Sequence, residues 1–131
     1  MSFNNVKDSQ LKYQHELVKY AEKQNDTSSI IYYTIQLADL YTNLMSEENA
    51  EKYFLKAKNL IDNSNDKDPI VLVKWNQRFA SLKNTFLDFN NAIKYSKIAL
   101  NHIKSNDNDS KGTSYNELGY AYFHSGQKKL A

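Results

Sequence analysis

Three histidines, two acidic clusters and many asparagines and tyrosines carry whatever chemistry this 131-residue chain could perform. His15, His102 and His124 are far apart, sit on different predicted helices and lack the H-E-x-x-H spacing that brings two imidazoles to one helix face. They read as surface or groove residues, and neither a metal nor a cofactor is assigned. Glu47, Glu48 and Glu51 could pair for acid–base work, but they directly follow Ser46 at the start of a predicted helix. Negative charge there complements the positive N-terminal end. Asp107-Asn108-Asp109 suggests a calcium loop, yet the glycine and terminal glutamate of an EF-hand are missing. A Ser/His/Asp set can be picked out, but no strained nucleophile turn accompanies it. No catalytic residue is assigned, and the chain reads as a protein without enzymatic activity.

Bulk properties narrow the function classes further. Seventeen Lys plus Arg face fifteen Asp plus Glu, and the signs alternate along the predicted helices, unlike the basic stripe of a nucleic-acid surface. The absence of cysteine removes disulfides, thiolate nucleophiles and zinc-finger frameworks, and fits a reducing compartment. No apolar run approaches the roughly 20 residues that span a bilayer. Met1 to Gln10 lacks the apolar core of a signal peptide. The expectation is one soluble, cytoplasmic domain over 1–131, with no nucleic-acid contact and no membrane partner.

The elements that must position any site are helical. Proline and glycine are so scarce, at one and three residues, that each should mark a boundary. Asp68-Pro69 supplies an N-cap followed by proline in the first turn, where the missing N–H costs nothing. Beyond it Leu72, Trp75, Phe79, Leu82 and Phe86 step by three and four, as one buried helix face does. The segments 63–67 and 105–112 are polar and turn-forming. The predicted architecture is all-α, with seven helices over 9–24, 28–45, 47–62, 69–87, 90–105, 113–124 and 127–131, the last cut short. Tyr33, Tyr41, Tyr53, Tyr95, Tyr115 and Tyr122 are expected in packing, with their hydroxyls reaching water.

An internal repeat is the clearest pattern. Ala38 and Ala50, Ala80 and Ala92, and Gly119 and Ala131 are each twelve residues apart, so the two helices of each hairpin should meet through small residues. Copies recur after 42 residues (38 to 80) and then 39 (80 to 119), with the extra length over a shorter repeat expected in the polar loops.

Leu37, Ala38, Tyr41, Ala50, Phe54 and Ala57, with Tyr115, Leu118, Gly119, Tyr122, Gly126 and Ala131, resemble tetratricopeptide repeats. Repeat 1 would occupy 28–62, repeat 2 69–105 and an incomplete repeat 3 113–131. The length and irregularity of the repeats are also similar to the sensor domains of Rap, Rgg and PlcR-type peptide-responsive bacterial regulators, although the helix-turn-helix domain of most members has no room here. The first resemblance implies a right-handed helical-hairpin solenoid and a non-catalytic module that binds a peptide or protein segment in a concave groove. The implied groove residues are Tyr32, Ile35, Asp39, Thr42 and Asn43 from repeat 1 and Thr113, Asn116, Tyr120, Phe123 and His124 from repeat 3. Repeat 2 offers two registers, Lys74, Gln77, Ser81 and Asn84 or Val73, Asn76, Lys83 and Asn84. Carboxamides such as Asn43, Asn84 and Asn116 could pair with both groups of an extended peptide backbone, aromatics beside them would form pockets, and Lys74 could meet a carboxylate.

Two further readings follow from the same residues. One is the sensor fragment of a peptide-responsive transcriptional regulator. The other is a structural scaffold piece assembling through an exposed C-terminal end, because the chain stops at Ala131 where a covering helix should begin. On that reading a homodimer through the open end is expected.

Overall fold

Three tight turns of identical construction organise the chain. In a computed structural model that describes residues 3–65 and 68–126, the regular elements are six helices: α1 (Phe3–Lys23), α2 (Thr27–Asn43), α3 (Glu47–Asn63), α4 (Pro69–Thr85), α5 (Phe89–His102) and α6 (Asn108–His124). No strand occurs among the described residues. The fold is therefore all-α, while the expected seventh helix, 127–131, lies outside the described residues. By contacts the chain divides into two compact units, Met1–Asn65 with α1 to α3 and Asp66–Ala131 with α4 to α6.

The turns α1–α2, α2–α3 and α4–α5 each use three residues, of which the middle one is left-handed: Asn25 (φ 53°), Met45 (φ 61°) and Leu87 (φ 65°). The third donates its N–H back across the turn, Asp26 to Ala21 O (3.2 Å), Ser46 to Tyr41 O (2.9 Å) and Asp88 to Lys83 O (2.8 Å). That bond satisfies a carbonyl the helix end would otherwise leave open. The same third residue then caps the next helix. Asp26 accepts from Ser29 N and Asp88 from Asn91 N. Ser46 occupies the expected cap position, but its hydroxyl makes no bond to the helix backbone and instead accepts from Asn49 Nδ2 at 3.0 Å.

The two longer connections, 64–68 and 103–107, end in the same way: Asp68 accepts from Ile70 N and Asp107 from Ser110 N. Asp107 starts α6 at Asn108, five residues before the expected 113. Turn-forming residues are tolerated in a first helical turn, where backbone N–H groups are unpaired in any case. The extra repeat length therefore does not sit in the loops, as the polar composition suggested. It sits in the helices, since α2, α3, α4 and α6 each have 17 residues. The change of interval from 42 to 39 follows from α5, which has only 14.

Each hairpin closes on small residues. Ala38, Ala50, Ala57, Ala80, Ala92 and Ala99 are fully buried, and 42 residues separate each member of the first hairpin from its counterpart in the second. Phe54 and Leu37 are fully buried in the first unit, and burial of Phe54 contributes about 2–3 kcal/mol by transfer. In the second unit Trp75 stacks on Phe79 at 4.7 Å, and Tyr95 meets Phe79 edge-on at 4.7 Å. The predicted stripe holds at Trp75, Phe79 and Leu82, with Leu72 and Phe86 half-buried at its ends. Tyr115, expected in packing, is 58% exposed.

Candidate functional site

α4 and α6 lie side by side in the second unit and run in the same direction. Gln77 Nε2 donates to Ser110 O at 3.0 Å and Ser114 Oγ at 2.9 Å. Seven residues on, Asn84 Nδ2 donates to Glu117 O at 3.0 Å and Glu117 Oε2 at 2.8 Å. A constant offset of 33 residues, at two positions two turns apart on the same helix face, requires parallel helices in fixed register.

Both neighbours of Asn84 Nδ2 are acceptors, a carbonyl and a carboxylate, so the carboxamide can take only one orientation and its Oδ1 must face away from them. That oxygen is buried and has no hydrogen-bond partner among the described residues. Asn84 lines a shallow polar depression of about 250 Å³ together with Ser81, Thr85, Glu117 and Tyr120. Thr85 Oγ1 donates to Ser81 O at 2.9 Å, which spends its proton on the helix. Glu117 is half-buried and has no cationic partner among the described residues. Beyond the depression, rings gather around His124: Tyr120 at 4.0 Å, Phe123 at 5.1 Å and Phe89 at 6.2 Å. Tyr120 and Phe123 are 46% and 59% exposed.

Comparison with family models, curated proteins and solved structures finds no match.

The residues expected to face a groove divide by environment. Lys74, Asn116, Tyr120, Phe123 and His124 reach the surface of the second unit, and Tyr32 and Asn43 that of the first, where Asp39 is half-buried. Gln77 and Asn84 are buried at 8% and 4% exposure, because their amide N–H groups join α4 to α6. Ile35 and Thr42 are buried as well, the Thr42 hydroxyl bonding back to Ala38 O. In the second register of repeat 2, Val73 and Asn76 are buried, the latter donating to Leu72 O. Glu117 and Thr85 were not singled out from the sequence. Neither carries a sequence signal, since the 33-residue offset of the two carboxamides from Ser110 and Glu117 emerges only once α6 lies against α4.

The first unit holds a polar cluster of another kind. His15 Nε2 lies 3.0 Å from Tyr41 Oη, Tyr41 and Tyr53 stack with parallel rings at 5.5 Å, and His15 meets Tyr53 edge-on at 5.6 Å. Gln14 Nε2 donates to Tyr33 O and Gln36 Oε1 alongside. His15 is thus a docking residue that ties α1 to the α2–α3 hairpin, not the surface or groove residue its isolation suggested. Burial, then the nearby charges of Lys19, Lys52 and Lys56, holds its pKa below the ordinary value. Burial, then Tyr53, raises that of Tyr41.

Among the described residues no group of three His, Asp or Glu side chains could hold a metal ion, and no helix is long and apolar enough to cross a membrane. The α4–α6 face thus brings a half-buried carboxylate, two helix hydroxyl groups and the Tyr120 ring around a shallow recess.

Proposed function

We propose that this chain is a non-catalytic helical-repeat module, built like a tetratricopeptide protein, that binds a peptide or protein segment on the face formed by α4 and α6. The hairpin geometry supports the repeat reading. Left-handed Met45 and Leu87, the cap positions Ser46 and Asp88, and the buried alanine pairs all recur at 42 residues. The recess carries the binding reading: Glu117, half-buried and without a cationic partner among the described residues, and the exposed Tyr120 line about 250 Å³ of open space beside Asn84, which suits an N–H-bearing segment. Asn116 and Tyr120, exposed on the same helix, would flank that segment.

Selection of peptides from a random library against the whole chain tests the reading. Recovered peptides should lose affinity when Tyr120 or Asn116 becomes alanine. Selection that recovers nothing, or peptides indifferent to both substitutions, would remove the support.

A further inference from the structure

The recess between α4 and α6 has one charged wall. Asn84, 4% exposed, lines it and holds the Glu117 side chain in place through Nδ2. Glu117 brings a half-buried carboxylate to which only Asn84 Nδ2 is bonded among the described residues. The nearest cation in sequence, Lys83, lies against the Phe79 ring at 5.0 Å and 4.0 Å from Asp88. Tyr120 adds an aromatic ring, 46% exposed and packed by His124 at 4.0 Å, whose π-electrons attract positive charge. A carboxylate and an aromatic ring lining about 250 Å³ match one chemical group: a nitrogen cation with several N–H donors.

We infer that this recess takes a basic side chain, the guanidinium of an arginine or the ammonium of a lysine, presented by the bound peptide. The inference rests on the α4–α6 face being the peptide site and goes beyond it by naming what the face selects. An acidic or purely apolar side chain is rejected there, because it would leave Glu117 desolvated without a counter-charge.

Nuclear magnetic resonance titration of the 131-residue protein with N-acetyl-arginine amide, N-acetyl-lysine amide and N-acetyl-norleucine amide tests it. The two basic amides should shift the resonances of Ser81, Thr85 and Tyr120 and the side-chain N–H pair of Asn84, and norleucine amide should not. Glu117→Gln keeps an acceptor for Asn84 but removes the charge, and should weaken the basic amides about tenfold. Tyr120→Leu, at an exposed position, provides a second variant with a smaller loss. Equal shifts from norleucine amide, or full affinity in Glu117→Gln, would overturn the inference while leaving peptide binding intact. No response to any of the three probes would overturn it too, and library-selected peptides that still shift these residues would show that the broader reading survives. If those peptides leave the residues unmoved, both fail.

Discussion

Asn84 on α4 and Glu117 on α6 are joined twice, Nδ2 to the backbone oxygen at 3.0 Å and to the carboxylate at 2.8 Å. One carboxamide therefore sets the register of two helices and turns its own oxygen away from Glu117. Asn84→Ala should cost about 1–3 kcal/mol in urea unfolding, since two acceptors at a half-buried interface lose their donor. Asn84→Asp should cost more, by setting two carboxylates together. That excess should shrink as pH falls, beginning above the ordinary carboxylate range, because burial and the neighbouring like charge favour protonation of one of the two.

Met45 and Leu87 hold left-handed backbone that L side chains adopt at a cost, and both side chains are largely exposed, at 63% and 70%. Met45→Gly and Leu87→Gly should each stabilise their unit by about 0.5–1 kcal/mol: relief of about 1–2 kcal/mol, offset in part by the greater freedom of unfolded glycine. Paired denaturation midpoints at unchanged m-value check this.

Ala50 and Gly119 both supply small residues to the repeat pattern but differ in their surroundings. A side chain larger than alanine at Ala50, which is fully buried, should destabilise by about 1–3 kcal/mol, as Ala50→Leu would show by thermal unfolding. A Cβ at Gly119 meets nothing within 4 Å. Gly119→Ala should therefore raise stability by about 0.5–1 kcal/mol.

The pH dependence of the first unit follows from His15. Its folded pKa lies below the ordinary 6.5, so the unfolded chain takes up a proton first. Stability is highest above about 6.5 and declines as pH falls from there to the folded value. His15→Phe, which keeps a ring against Tyr53, should flatten the curve in that window. A separate loss occurs in stronger acid. The Ser29 and Ser110 hydroxyls, then their backbone N–H groups, hold Asp26 and Asp107 below 3.8, so their contribution disappears only as pH falls through those lowered values. Urea unfolding from pH 8 down into strong acid, well below 3.8, wild type against His15→Phe, separates the two windows.

Much of the fold was legible because it rests on local chemistry. Asp68-Pro69 marked a helix start, the three-and-four spacing from Trp75 to Leu82 marked a buried face, and paired alanines marked the hairpins. The loop reading of 105–112 missed because Asp107 is a cap as well as a turn former, and composition cannot decide between the two roles. Met45 and Leu87 gave no sign of left-handed turns, since only glycine or asparagine announces them. The candidate site was half visible. Tyr120 and Asn116 could be placed from helical phase, whereas the burial of Gln77 and Asn84 depends on α6 lying against α4, a relation between residues 33 apart. For the same reason Asn84→Ala is a stability variant here and not a clean test of binding.

The central claim, that the α4–α6 face binds a peptide segment, is tested most directly by the backbone chemical-shift footprint of a library-selected peptide on the isotope-labelled protein. The account predicts that the largest changes fall at Ser81, Thr85, Asn116, Glu117 and Tyr120, and that they diminish in Tyr120→Ala. A footprint centred instead on the exposed α5 residues Lys94, Lys97 and Asn101, with those five unmoved, would contradict it.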